Sequence, residues 1–327
     1  MTSYSVTLDD AANAYRMRSR DLLPRRIRSL IRRHLPSSVV DAYLQHQGGA
    51  ITARELAWAG LHALPECSLL TRTRHGWLSY SNKDLALGRP LFLKGEFEYS
   101  LIHRTMTLLR DLHELRGGLL IDAGANIGTV TITLLREGFF HRAIAVEPVP
   151  SNYRRLARNL WLNGLRHRVQ PIRAALGVET GSVRMTLSPV NHGDHRIRAK
   201  AGLTVDQMAE STWPTVEVVS RRLDDVVRPH QPVGLLWMDV QGFEMRVLEG
   251  APRLLATRMP VLMEFAPYWI AQVGIGVDEF CGFFAEHFKV VYDLAAPTPT
   301  PVRASQVATL FKQYQGLAYS DLLALPV

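Results

Sequence analysis

The segment Asp122-Ala-Gly-Ala-Asn-Ile-Gly128 joins the apolar run Leu119-Leu-Ile121 to a second apolar stretch, and its residue types suit a ligand-binding turn. Gly124 and Gly128 let the backbone approach a ligand with no Cβ in the way. Asp122 stands at the carboxyl end of a predicted strand, where open α/β sheets bind their ligands. A dinucleotide turn needs G-x-G-x-x-G, because the pyrophosphate rests on bare N–H groups at a helix N-terminus. Here the middle glycine is missing, and a carboxylate ahead of the loop attracts a cation and repels a diphosphate. The turn therefore predicts the methionine moiety of S-adenosylmethionine and disfavours a nicotinamide cofactor. An ordinary βα turn without a ligand is the bland alternative.

Two further acids extend this reading. Ala143-Ile-Ala-Val-Glu147-Pro148 forms a second short apolar strand ending in an acid, 19 positions past Gly128. A carboxylate there can accept from two ribose hydroxyls, although a helix-cap role near Ser151 is open to it. Asp239 ends the run Val233-Gly-Leu-Leu-Trp-Met238. It can touch the acceptor, hold the cofactor amine, or join Glu264 in a metal site. Metal is the weakest of these, since hard cations want several oxygen ligands and no third acid presents itself. Glu244 reads as a helix-start acid.

If an alcohol accepts the methyl group, its proton must leave, and a positioned base typically contributes ~10²- to 10⁴-fold. The connection at about 176–232 is long enough to be functional. It has β-hairpin composition followed by Ser188-Pro-Val-Asn-His-Gly-Asp-His195. Imidazole titrates near working pH, so His192 is the first candidate base, with His195 and Asp194 behind it. Exposed turn polars are the competing reading.

The elements that must position these groups alternate. Strands are expected at 119–122, 143–147, 169–175, 233–239 and 260–265, with helices near 128–137, 150–163 and 243–256 and later apolar runs at 288–294 and 321–327. Such alternation implies a mostly parallel sheet with helices on both faces. The near-continuous apolar strands agree, being buried on both sides.

Asp122 to Gly128, Glu147-Pro148, Arg222-Leu-Asp-Asp225 and Met238-Asp-Val-Gln-Gly-Phe-Glu-Met-Arg-Val-Leu-Glu-Gly250 together resemble the FkbM family of S-adenosylmethionine-dependent methyltransferases. The last block is the most specific, and it departs from the family pattern in Gln241, where an acid is common. The resemblance covers about residues 90–327. It implies a Rossmann-like class I methyltransferase fold, a seven-stranded sheet whose final strand is inserted antiparallel, and transfer to a hydroxyl. It further implies that Asp122, Gly124, Ala125 and Asn126 line the methionine side, with Gly128 closing the turn. Glu147 and Pro148 would hold the ribose, and Asp239 would lie beside the methyl group. Gly95-Glu-Phe-Glu98-Tyr99 resembles a family segment that closes over the cofactor, which makes Glu98 a candidate contact. Arg173-Ala-Ala175 lacks the acid or amide that many such enzymes use for adenine, so recognition there falls to backbone around Ala174.

The chain has 327 residues, 47% of them hydrophobic, enough for one large domain and an appendage. We expect a helical, basic extension over 1–85 and a cofactor-binding domain over 86–327, with a substrate-side insertion at about 176–232. Two cysteines, Cys67 and Cys281, make neither a disulfide framework nor a zinc site. No run reaches the ~18 to 20 apolar residues of a membrane span, and no secretory signal is evident, so a cytoplasmic setting is expected.

The net charge of +8 is local. Between Arg16 and Arg33 stand eight arginines against one acid, Asp21. Leu22, Leu23, Ile27, Leu30 and Ile31 interleave them, as in a basic amphipathic helix. Such an arm can pack on the domain, dock a second copy or a carrier protein, lie on an anionic membrane, or bind nucleic acid. Only the arm favours nucleic acid, and no Asn-Pro-Pro-Tyr motif supports methylation of base amines. The expected activity is methylation of a sugar or natural-product hydroxyl with S-adenosylhomocysteine as the second product and no metal. An N-methyltransferase of the same fold and a non-catalytic cofactor-binding scaffold remain the alternatives.

Overall fold

The structure, a computed structural model, describes residues 52–189, 191–197, 212–296 and 298–327. The arginine-rich arm at 16–33 and the rest of the expected helical extension as far as residue 51 lie outside the described residues. Two compact units divide the rest.

The smaller unit comprises, among described residues, 52–68 and 81–83. Its helix α1 (Ala53–Ala63) begins at a capping box: Thr52 Oγ1 accepts from Glu55 N at 3.2 Å, and Glu55 Oε2 accepts from Thr52 N at 2.9 Å. Such reciprocal bonds satisfy two orphan amides of the first turn. Asn82 ties the helix end to the following turn, donating to Leu61 O and accepting from Cys67 N.

The larger unit takes in 69–80 and 84–327. It opens with a hairpin, β1 (Ser68–Thr73) and β2 (Gly76–Ser81), where a purely helical extension had been expected. The alternating burial of β1 and the tight Arg74-His75 turn are the strand signals in this stretch. Helices α2 (Gly88–Lys94) and α3 (Tyr99–Asp111) follow.

The core is built on β3 (Leu119–Ala123), α4 (Thr129–Arg136), β4 (Arg142–Val146), α5 (Pro150–Leu162) and β5 (Val169–Ile172). After the insertion come α6 (Leu223–Val226), β10 (Val233–Met238), α7 (Glu244–Glu249), α8 (Pro252–Leu255), β11 (Val261–Phe265), α9 (Pro267–Gln272), α10 (Val277–His287) and β12 (Phe288–Asp293). β13 (Thr300–Arg303), α11 (Ala308–Gln313) and β14 (Ser320–Pro326) complete it. The sheet order is β5-β4-β3-β10-β11-β14-β12-β13. The five strands from β5 to β11 are parallel, and β14 lies antiparallel between β11 and β12.

Every residue of β3 and β10 is buried, the pattern of strands covered on both faces. Because the chain leaves β3 toward β4 in one half and returns at β10 for the other, right-handed crossovers put their helices on opposite faces. The carboxyl ends of β3 and β10 then form the crevice of the switch point.

The sheet has one strand more than the seven expected. Thr300–Arg303 begins within the proline-rich run at 297–301 and pairs with β12 at the sheet edge. Pro301 is tolerated there because an edge strand can spare an N–H. Pro297 itself is outside the described residues. The insertion folds as a second sheet, ordered β6 (Ala175–Leu176), β9 (Thr215–Arg221), β7 (Gly181–Thr186), β8 (Arg196–Ile197).

Candidate active site

The turn after β3 is held from two sides. Gly124 and Ala125 donate to Val146 O at 3.0 and 2.9 Å, which seats the turn on the end of β4. Gly124 has φ +85, and a Cβ there would fall 1.8 Å from Asp239 O. Only glycine lets the ends of β3 and β10 meet so closely. Three non-glycine residues of this region also have positive φ: Glu98, Asn126 and Gln241. Such strained backbone is retained where surrounding structure fixes it, and it gathers at ligand sites.

A cleft opens at these strand ends, enclosing about 580 Å³ with its open mouth included, within the ~300 to 1,000 Å³ of small-molecule sites. Gly124, Asn126, Glu147, Pro148, Ala174 and Asp239 line it, as do His192 and His195. Eight expected site residues therefore share one surface. Ala125 and Gly128 serve the turn as backbone: Ala125 is 4% exposed, and Gly128 starts α4 in the left-handed region.

Asp122 has a different role from the expected contact with the cofactor amine. It is 2% exposed, and its Oδ2 accepts from Thr131 N at 3.1 Å and Thr131 Oγ1 at 2.5 Å. The carboxylate thus anchors the first turn of α4, and does not line the cleft. Burial raises its pKa to about 6 against the two Thr131 bonds.

Glu147 is 4% exposed, and burial pushes it up to about 8, opposed by two amide bonds. Its Oε1 accepts from Val149 N at 2.8 Å and its Oε2 from Asn126 N at 2.9 Å. Each oxygen keeps a lone pair for a ligand hydroxyl. The side-chain Oδ1 atoms of Asn126 and Asn152 are buried without any hydrogen-bond partner among the described residues. Unmatched acceptors of this kind are rare in folded proteins; the donors of an aminated, hydroxylated ligand would satisfy them. This donor-and-acceptor set fits S-adenosylmethionine.

At the other end, carboxylates crowd together. Gln241 Nε2 donates to Asp239 Oδ1 at 2.7 Å and to Glu264 Oε2 at 3.1 Å, so the amide that departs from the family pattern bridges two acids. Asp321 faces Glu264 across the β11–β14 register. Burial raises Asp239, against Gln241 and Arg196, which favour its charged form. Glu264 is driven up by burial and then by Asp239, Glu244, Asp321 and Glu98. Asp321 rises to about 7 through burial and Asp239. Asp239, which lines the cleft, and Glu264 and Asp321 are partly exposed, and Glu98 lies amid dense protein but with its side chain open to solvent. Water therefore tempers the rise that enclosure and Asp239 impose on Glu98. No cluster of three or more His, Cys, Asp or Glu among the described residues is arranged to hold a metal.

Glu244 starts α7, as its position suggested, and is 0% exposed. Its Oε1 accepts from Val240 N at 3.0 Å, and burial raises it to about 8.

The two histidines stand on the ribose side of the cleft. Asn152 Nδ2 donates to the His192 carbonyl at 2.7 Å, and the rings of His192 and His195 lie 5.8 Å apart. His195 Nδ1 accepts from Ser188 N at 3.0 Å, and burial lowers its pKa to about 4. Its remaining nitrogen therefore carries a proton and donates, which is the opposite of a base. Asp194, the third candidate, pairs with Arg196.

Arg196 is a site residue that no local motif announced. It is 4% exposed, and its guanidinium stacks over the Trp269 ring with the centroid 3.4 Å away and near Trp213 at 5.6 Å. It pins the end of the insertion loop to α9 and supplies positive charge to Asp239.

Two curated proteins align at 30% identity: "Methyltransferase sdnD" of Sordaria araneosa over 154 residues, and "Methyltransferase 1" of Beauveria bassiana over 143. Each alignment takes in 40% of this chain, so the chain spans 59% and 57% of the lengths of these relatives. A solved structure, methyltransferase FkbM from Methylobacillus flagellatus KT, is 15% identical with a TM-score of 0.35, covering 64% of this chain and 43% of that one. The family model described as "Methyltransferase FkbM domain" matches residues 122–291, from the end of β3 into β12. With more than half of its length matched, from the cofactor turn through the second half of the sheet, the chain belongs to the FkbM methyltransferase family.

Proposed function

We propose that the protein is an S-adenosylmethionine-dependent methyltransferase acting on a hydroxyl of a sugar or natural-product small molecule. The observation that carries this reading is one cleft, at the switch point of the sheet, with Glu147 and two unmatched amide oxygens at one end and Asp239, bridged by Gln241 to Glu264 behind it, at the other. Both aligned relatives bear the name methyltransferase, and neither name states an acceptor.

Bound in the cleft, the cofactor supplies a sulfonium methyl that is already activated. The chain's own work is then to align the acceptor and exclude water, worth up to ~7 to 11 kcal/mol by positioning alone. Asp239 is the best-placed group to take the acceptor's proton. Gln241 orients its carboxylate, and Arg196 favours the charged form. His192 becomes a wall of the cofactor end in this reading, and His195 a donor. Glu98 and Glu264 hold further acceptor hydroxyls or the cation.

The test is transfer of a labelled methyl group from S-adenosylmethionine to a panel of sugars and glycosylated phenols. Asp239→Asn should lower kcat by ~10²- to 10⁴-fold with a small change in cofactor KM. A wild-type rate in Asp239→Asn removes Asp239 as the base. The carboxylate cluster also favours a second reading, transfer to an amine, because four acids attract a cation. Amines in the same panel separate the two.

A further inference from the structure

The cofactor reading leaves one wall of the cleft without a role. Asn152, on the first turn of α5, is 2% exposed and lines the cleft five positions after Glu147. Its Nδ2 donates to the His192 carbonyl. That bond fixes the amide's orientation, because a flipped amide would set oxygen against oxygen. The end left over is Oδ1, which is buried and has no partner among the described residues.

The surroundings say what the missing donor belongs to. Val149, Ala175 and Met185 form a small apolar cluster here, with Ile197 packed against it. Aliphatic walls around an unmatched acceptor suit a flat ring carrying an N–H group. The strand order agrees. With the methionine end between β3 and β10 and the ribose at Glu147 on β4, the base extends past β4 toward β5. His195 shares this wall, and its bond from Ser188 N leaves the ring proton on Nε2.

Resting on the S-adenosylmethionine reading, we propose that Asn152 Oδ1 accepts from the exocyclic amine of adenine while His195 Nε2–H donates to an adjacent ring nitrogen. The start of α5 and the insertion then select the nucleobase together, a role Arg173-Ala-Ala175 lacks the side chains to fill.

Calorimetric titration of the full chain with S-adenosylhomocysteine and with S-inosylhomocysteine, which carries a carbonyl in place of the amine, tests the pair. Wild type should prefer the adenosyl ligand by about tenfold or more, the scale of one mismatched hydrogen bond. Asn152→Leu should erase that preference. Asn152→Asp should keep it, because an oxygen still accepts although the donor to His192 is gone. His195→Phe should narrow it. Equal weakening of both ligands by Asn152→Leu, with the preference intact, would show that Asn152 only holds the His192 loop and would overturn the proposal. Loss of preference in Asn152→Asp as well would do the same. An unchanged preference in His195→Phe removes His195 from the pair. Failure of wild type to bind S-adenosylhomocysteine at all would instead overturn the cofactor reading.

Discussion

The two ends of the cleft recognise by different physics. Around Asp239, four carboxylates and a bridging amide meet where β10, β11 and β14 come together, and charge dominates. Around Asn152, the walls are aliphatic and its amide oxygen is unmatched, so shape and a few directed hydrogen bonds dominate. A cation at one end and a flat ring at the other need this division. The acid end responds to pH, whereas the aliphatic end does not.

Glu147 stands between the two regions, and removing it should weaken the ligand's hold at both. Glu147→Ala loses two acceptor oxygens and strands the amides of Asn126 and Val149. Cofactor affinity should fall ~100-fold or more by calorimetry. Arg196→Ala should act mainly at the acid end. With Trp269 and Asp194 released and Asp239 deprived of a neighbouring cation, kcat should drop about tenfold, and the acid limb of the pH–rate profile should move to higher pH. An unshifted profile would confine Arg196 to packing.

Glu244→Gln sharpens the electrostatic side. The folded state holds the Glu244 proton up to about 8, against an ordinary value of 4.5. A raised acid contributes stability that is present at low pH and lost as pH climbs from about 4.5 to 8. The Gln variant keeps an oxygen for Val240 N and removes that loss. Denaturant melts should show parity near pH 5 and a variant more stable by about 1 kcal/mol or more at pH 9. Met185→Ala, at the apolar end, should give the smallest effect, a cofactor affinity weaker by about threefold to tenfold and the same loss at pH 6 and pH 8.

Much of this architecture was legible in the chain. β3, β10 and β11 read as strands because burial on both faces demands continuous apolar runs, and Gly124, Glu147 and Asp239 follow from where such strands end. The roles assigned to side chains travelled less well. Asp122 looked like a ligand contact, yet its nearest donors are its own helix's Thr131. His195 looked like a base until the Ser188 amide fixed its tautomer. Arg196, Asn152 and the Gln241 bridge were invisible because each depends on a partner brought from another element: Trp269 to Arg196, the His192 carbonyl to Asn152, and Glu264 to Gln241. The β1–β2 hairpin was missed within a segment whose preceding residues are helical.

The central claim is that this cleft binds S-adenosylmethionine with its cation against the raised acids. Titrating the wild-type chain with S-adenosylmethionine at pH 7, in two buffers of different ionisation enthalpy, tests it directly. Glu147 and Asp321, raised to about 8 and about 7, hold protons that an arriving cation and ribose hydroxyls would displace. Saturable binding with net proton release is expected. No binding, or binding with no proton exchanged, would contradict it.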